Sequence, residues 1–379
     1  MSHAPSSILN RRLQIIRREM VAHTLDALVV TALPNVVYLT NFGGSSGIVL
    51  LTPDRVRLIT DFRYLTTLAD SGSAVHECPG LETVRVESSY DETLADTLVE
   101  NAAERAGFEA AHVSVSRHTW LKARLDRSRR PVELVPTSGI VERARTCKDE
   151  YELGILREAA RRLSGVAERV FAIVRAGMTE RALAIAIEGR IREAGFERLA
   201  FETIVASGPQ AALPHARPSG RILTEGDVVV LDFGGVYDSY CVDLTRTVCI
   251  GSASGRAREV HAAVLDAHDR AVVAVKPGTS RFDIDGAARA ALARAGMGEA
   301  FGHGTGHGLG LEVHEDPRIV RRRADSDVRD EAVAASMVFT IEPGAYFPGW
   351  GGVRIEDDVV VTETGVELLT QVTTDLLEL

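Results

Sequence analysis

Apolar residues in this chain recur at helical spacing in some stretches and gather into short strand-like runs in others. Residues 10–23 carry a helical pattern, and Ala27-Leu28-Val29-Val30-Thr31 reads as a buried strand. Gly47-Ile48-Val49-Leu50-Leu51 and Val56-Arg57-Leu58-Ile59-Thr60 flank Pro53-Asp54 and predict a hairpin. A helix over 91–106, a strand over 112–115 and a helical piece from His118 follow, which makes the first part an α/β domain. Beyond Pro136-Thr137-Ser138-Gly139 the rhythm changes. Amphipathic helices are expected over 148–177 and, with Thr179 as N-cap, on to Gly195, then over 257–275 and 281–295, interspersed with two hairpins. That mixture lacks a strict strand–helix–strand alternation and predicts an α+β architecture. The chain therefore divides into a smaller α/β domain, 1–140, and a larger α+β domain, 147–379.

Both predicted hairpins of the larger domain carry paired acids. Asp232 closes the run Val228-Val229-Val230-Leu231, and Asp243 opens the return strand Leu244-Thr245-Arg246-Thr247-Val248. A tight turn at Tyr237-Asp238 would put Asp232 directly opposite Asp243. Like charges facing each other across a ladder are destabilising, and a divalent cation between them reverses the sign. The second hairpin runs from Met337-Val338-Phe339-Thr340-Ile341-Glu342 through turns at Pro343-Gly344 and Pro348-Gly349 to Val353-Arg354-Ile355-Glu356. Glu342 and Glu356 can converge there, and side-chain alternation puts Arg354 and Asp358 on the face of Glu356. Arg354 is then a candidate to hold a ligand rather than a metal. The two acidic hairpins hint at a duplicated half, although their sequences share little.

Between the hairpins, Phe301-Gly302-His303-Gly304-Thr305-Gly306-His307-Gly308-Leu309-Gly310-Leu311-Glu312-Val313-His314-Glu315 holds three of the chain's 11 histidines. So many glycines argue against regular helix and for backbone that approaches a site closely. A single histidine is more often packed than functional. Three in twelve residues, beside two acid pairs, point to a metal or catalytic site. Four carboxylates balance two divalent ions, leaving a bridging hydroxide as nucleophile. A carboxylate-rich set with one imidazole suits manganese, with cobalt or zinc as alternatives, better than copper.

Composition narrows the partners. With 45% hydrophobic and 25% charged residues the chain is ordinary globular protein. A net charge of -10 argues against nucleic acid or an anionic membrane as main partner, and Arg321-Arg322-Arg323 reads as solvated surface. Met1-Ser2-His3-Ala4-Pro5 has no targeting pattern, so a cytoplasmic enzyme is expected. Cys78, Cys147, Cys241 and Cys249 are too scattered for a disulfide framework or a cysteine zinc site.

Taken together, Leu231-Asp232-Phe233-Gly234 with Asp243-Leu244-Thr245-Arg246-Thr247, Gly306-His307-Gly308-Leu309-Gly310 with Val313-His314-Glu315, Ile341-Glu342-Pro343-Gly344, and Gly352-Val353-Arg354-Ile355-Glu356-Asp357 resemble the aminopeptidase P and prolidase branch of the pita-bread metallopeptidases. Pro214-His215 resembles that branch's upstream histidine motif. Asp26-Ala27-Leu28-Val29-Val30, Asn35-Val36-Val37-Tyr38-Leu39-Thr40 and Thr60-Asp61-Phe62-Arg63-Tyr64 resemble its creatinase-type N-terminal domain. Gln210, where the branch often has asparagine, and Cys241-Val242, where a small or polar residue is common, depart from the pattern.

The resemblance implies that Asp232 binds one metal, that Asp243 and Glu356 bridge two, and that His307 with Glu342 completes the second. It implies that His215 and His314 contact substrate and stabilise the tetrahedral intermediate, and that His303 lines the pocket. Glu342 is then the proton shuttle to the leaving proline nitrogen. The implied substrate is a peptide with proline in second position, cleaved as by a Xaa-Pro aminopeptidase, with a strict Xaa-Pro dipeptidase as the nearest alternative. A small-molecule hydrolase or lyase and a non-catalytic binding module on the same fold are more distant ones. Family members commonly pair, with the N-terminal domain of one subunit closing its neighbour's pocket, which implies a homodimer. Asp61-Phe62-Arg63-Tyr64 and Asn41-Phe42-Gly43-Gly44 are the segments to consider for that role, with ordinary strand-end packing as the alternative.

Overall fold

Helix α1 (Ser6–Ala22) leads into β1 (Ala27–Val30), whose four residues are all buried because the strand is covered on both faces. Ala27 and Val29 pack with Leu94, Leu98, Leu121 and Leu125, and Leu28 and Val30 are equally buried on the other side. The computed structural model describes residues 3–70, 77–322 and 329–379, in two units, Met1–Arg145 and Thr146–Leu379. In the first, α2 (Leu33–Thr40), β2 (Ile48–Leu51), β3 (Val56–Thr60), α3 (Phe62–Asp70), β4 (Leu81–Arg85), α4 (Tyr90–Glu100), β5 (Arg105–Glu109), α5 (Val115–Leu125), β6 (Glu133–Thr137) and α6 (Ile140–Thr146) follow β1. The strands form a mixed sheet in the order β4-β3-β2-β1-β5-β6. The hairpin expected around Pro53-Asp54 is present, with Leu51 opposite Val56.

Two expectations in this unit are corrected. The helix drawn over 91–106 ends at Glu100, because Ala102 adopts φ 51° and turns the chain, and Ala106 lies on β5. The strand drawn over 112–115 is instead the approach to α5, where the Ser114 side chain caps the helix by accepting the Arg117 N–H.

The second unit holds α7 (Glu150–Phe171), α8 (Glu180–Glu193), β7 (Arg198–Leu199), β8 (Ile204–Ser207), β9 (Val228–Tyr237), β10 (Tyr240–Cys249), α9 (Gly255–Ala274), α10 (Arg281–Arg294), β11 (Gly306–Gly308), β12 (Glu315–Ile319), β13 (Val338–Ile341), β14 (Gly344–Phe347), β15 (Gly351–Arg354), β16 (Asp357–Val361) and β17 (Val366–Leu368). A capping box between Asp149 and Glu152 starts α7. Its buried stripe of Leu156, Ala159, Ala160, Leu163, Val166 and Val170 faces β9 and β10. Each fully buried leucine or valine there contributes about 1.5–3 kcal/mol. β9 pairs with β10, β7 and β8, and a separate sheet runs β12-β11-β13-β16-β17, with the ribbon β14-β15 continuing from it.

The two halves of this unit repeat one another. In the first, Gly177 donates its N–H to Leu223, Leu223 donates to Met178, and Thr179 bridges Ile222. In the second, Gly278 donates to Val333, Val333 donates to Thr279, and Ser280 bridges Ala332. Thr179 caps α8 and Ser280 caps α10 in matching positions. The duplication hinted at by the acidic hairpins is therefore present in the backbone, and the bridge Thr245–Glu356 joins the halves.

The hairpin register differs from the expected one. Tyr237 pairs with Tyr240, so the turn is Asp238-Ser239, both at positive φ (46° and 73°), as a tight hairpin turn with matching twist requires. Asp232 consequently faces Thr245, and Asp243 faces Gly234. The two aspartates remain on one face as diagonal rather than direct neighbours.

Among the described residues no helix is long and apolar enough to cross a membrane. Arg321 and Arg322 are exposed, and Arg323 lies outside the described residues.

Candidate metal centre

Residues from both halves converge on one cavity of about 490 Å³. Its wall includes Asp232, Asp243, His307, Glu342 and Glu356, together with His215, His303, His314 and Arg354. Ligand atoms of Asp243, His307 and Glu356 all lie within 4.8 Å of one another. His307 Nε2 is 4.0 Å from Asp243 Oδ2 and 3.8 Å from Glu342 Oε1. Asp243 reaches this point from the middle of β10, and His307 from the three-residue strand β11, where its glycine neighbours let the chain pack tightly. A Cβ at Gly306 would stand 1.8 Å from the Thr340 carbonyl oxygen, and one at Gly308 would stand 2.2 Å from that of Asp316. The ladders β13–β16 and β14–β15 share one register, in which Ile341 faces Asp357 and Gly344 faces Arg354, so Glu342 and Glu356 fall opposite each other between them.

The cluster fits a divalent metal. Asp232 Oδ1 and Asp243 Oδ1 are buried oxygens with no hydrogen-bond donor, a costly condition that a cation relieves. Burial above all, then the neighbouring charges of Glu356 and Asp232, hold the Asp243 carboxyl well above the usual range. Glu356 is raised in the same way by burial, Glu342 and Asp232, against the pull of Arg354. Burial lifts Glu342 to about 7. Three acids that resist ionising together will take either a proton or a metal. His307 completes the set: burial and the neighbouring His314 ring lower it to about 4, so it is neutral. Its Nδ1–H donates to the Gly308 carbonyl at 3.1 Å, which leaves the Nε2 lone pair facing the acids.

A chain of hydrogen bonds runs along one side. Arg354 donates to Asp232 Oδ2 at 2.5 Å, to the Tyr346 hydroxyl at 2.9 Å and to the Thr245 hydroxyl at 3.2 Å. Tyr346 in turn donates to His303 Nε2 at 2.9 Å. Burial lowers His303 to about 4. His314 is lowered by burial and by the charge of Arg318, and its ring lies 4.3 Å from that of His307. Asp358 takes no part in the cavity wall. It accepts the Asp243 N–H at 3.0 Å from behind.

Three contributors were not singled out from the sequence. Thr245 donates its hydroxyl to Glu356 Oε2 at 2.5 Å; its position two residues after Asp243 on one strand was the available signal. Arg246 ties the backbone of Glu356 (2.6 Å) to the side chain of Asp357 (2.8 Å). Arg318 faces His307 across the β11–β12 ladder and lines the cavity. Nothing local in its sequence marks it, because its placement depends on an irregular register between the strands.

Residues 154–363 match metallopeptidase family M24, and residues 12–147 match the creatinase/prolidase N-terminal domain. A peptidase of Bacillus subtilis, YqhT, is 37% identical over 354 residues, 93% of this chain and 96% of its own length. The structure of a Xaa-Pro dipeptidase from Bacillus anthracis superposes with a TM-score of 0.91 at 34% identity, covering 98% of this chain and 100% of that one. An X-Pro aminopeptidase from Thermotoga maritima gives 0.86 at 34% identity, covering 97% and 99%. The chain is thus an enzyme of metallopeptidase family M24, with a creatinase/prolidase domain at its N-terminus.

Proposed function

We propose that the enzyme is an exopeptidase that hydrolyses the bond between an N-terminal residue and proline, as a Xaa-Pro aminopeptidase does. The observation that carries this reading is the meeting of a metal-fitting acid–histidine cluster with His215, His303 and His314 on one cavity. Family membership and the similarity to a Xaa-Pro dipeptidase and an X-Pro aminopeptidase support it.

In this reading Asp232, Asp243, His307, Glu342 and Glu356 hold two divalent ions, manganese first with cobalt or zinc as alternatives, which supply an acidified water and a Lewis acid for the carbonyl. His314 donates a hydrogen bond to the carbonyl oxygen as negative charge develops there. His215 binds the substrate from the opposite loop, and His303, held by Tyr346, lines the pocket for the proline ring. Glu342 accepts a proton and passes it to the leaving nitrogen. Proline's tertiary amide has no N–H to offer, which is why it fits general peptidases poorly. A homodimer is carried by the resemblance alone.

Arg318 favours a second reading, a strict Xaa-Pro dipeptidase. It is a cation on the cavity wall whose guanidinium has no hydrogen bond or ion pair among the described residues, available for the free carboxylate of a dipeptide. A length series of Xaa-Pro, Xaa-Pro-Xaa and Xaa-Ala-Xaa peptides, assayed with manganese, cobalt and zinc, tests both. Release of the first residue from the proline peptides alone is expected. Equal cleavage of Xaa-Ala-Xaa, or none of any peptide, refutes the proposal.

A further inference from the structure

His215 has no side-chain hydrogen bond among the described residues, so only the backbone of its loop places it. That loop leaves β8 at Ser207, passes through a 3-10 turn (Gly208–Ala212), lines the cavity over residues 214–218, and turns away at Ser219. Both of its ends are held by one buried side chain. Glu180, in the first turn of α8 and only 1% exposed, accepts the Ser207 N–H at 2.8 Å and the Ser207 hydroxyl at 2.7 Å on Oε1. On Oε2 it accepts the Ser219 N–H at 3.0 Å and the Ser219 hydroxyl at 2.6 Å. The nearby Arg221, which donates to the Ser207 hydroxyl at 2.6 Å and pairs with Asp227, compensates the buried charge.

We propose that Glu180 is a positioning residue for His215, its carboxylate clamping the entry and exit of the loop so that the imidazole is held over the cavity. Four donors converge on two oxygens, and only a carboxylate can accept at both ends. A glutamine keeps the shape but turns an N–H₂ toward one serine N–H, releasing that end of the loop. Misplacing a substrate-contacting group by roughly 1 Å costs up to about 100-fold in rate. Glu180 has no seat on the cavity wall, so its effect must pass through what the loop carries. The inference rests on the Xaa-Pro peptidase reading for the role of His215.

A double-mutant cycle tests it. In the metal-loaded enzyme, Glu180→Gln is expected to lower kcat/KM on a Xaa-Pro peptide by about 10- to 100-fold, with metal content unchanged. In a His215→Ala background the same substitution is expected to change kcat/KM less than about twofold, because the group it places is gone. A full, additive loss in that background overturns the inference and makes Glu180 merely structural. So does a Glu180→Gln enzyme as active as the parent. Should Glu180→Gln fail to fold, Ser219→Ala removes one donor at the exit and must show the same coupling to His215. A fully active His215→Ala enzyme refutes the role of His215 and the inference with it, whereas an impaired His215→Ala enzyme that is uncoupled from Glu180 refutes the inference alone.

Discussion

Thr245 stands directly across the β9–β10 ladder from Asp232, and its hydroxyl reaches Glu356 Oε2 at 2.5 Å. One side chain thus links the first acidic hairpin to the second, while Arg354 donates to the same hydroxyl. Replacing Thr245 by valine keeps the volume and removes the hydroxyl. Metal affinity is expected to fall about 10- to 100-fold, as for other residues that orient a ligand, with a stability loss of about 1–3 kcal/mol. Calorimetric titration of the metal-free variant measures this, and an affinity equal to that of the parent would contradict it.

Stripping the metal should invert the pH dependence of stability. Glu342 is raised to about 7 in the folded chain, against about 4.3 when unfolded. The metal-free fold therefore binds the proton more tightly than the unfolded chain does, and stability falls as pH rises between those values. Asp243 and Glu356, raised in the same direction, deepen the loss. The buried histidines His303 and His307, lowered to about 4, oppose this trend below about pH 6.5. Melting curves of chelated enzyme should therefore drop between about pH 6.5 and pH 8, and those of metal-loaded enzyme should not. A flat profile after chelation would count against a repelling acid cluster.

Arg318→Ala separates the two substrate lengths. If the guanidinium receives a dipeptide's carboxylate, KM for Xaa-Pro is expected to rise about 10- to 100-fold, the worth of a charge-assisted hydrogen bond of about 1.5–3 kcal/mol. KM for longer peptides should stay within about twofold. Steady-state kinetics on both lengths decide it, and an equal effect on both removes the dipeptidase argument.

Gly352 is a position where even a methyl group is too large. A Cβ there would stand 2.3 Å from the Ala211 carbonyl oxygen and 2.7 Å from Tyr346 Cδ1. Gly352→Ala is expected to cost about 1–3 kcal/mol and to displace the 3-10 turn at the head of the His215 loop. A thermal melt and kcat/KM measured side by side check this, and a variant unchanged in both would show that the neighbours yield.

Much of the cavity was legible because its residues sit in strand runs bounded by glycine and proline, where alternation fixes the face a side chain takes. Alternation alone puts Asp232 and Asp243 on one face, as the ladder does, even though the expected turn lies one residue away from the observed one. The slip is physical: the turn residues Asp238 and Ser239 both take positive φ without the asparagine–glycine pair that usually announces it. Ala102 ends α4 at positive φ, which alanine gives no hint of. Arg318 reaches the cavity through an irregular strand pairing and Glu180 meets serines 27 and 39 residues away, and no periodicity reports such pairings.

Because Asp232 and Asp243 come from one repeat of the unit and His307, Glu342 and Glu356 from the other, neither half owns the site. The cavity comes into existence only when the seam at Thr245 and Glu356 closes. A metal bound across that seam would act as a latch, opposing separation of the halves by mass action. Metal occupancy would then be a measure of completed assembly of this unit, and nascent chains with only the first hairpin made would have no place to keep an ion.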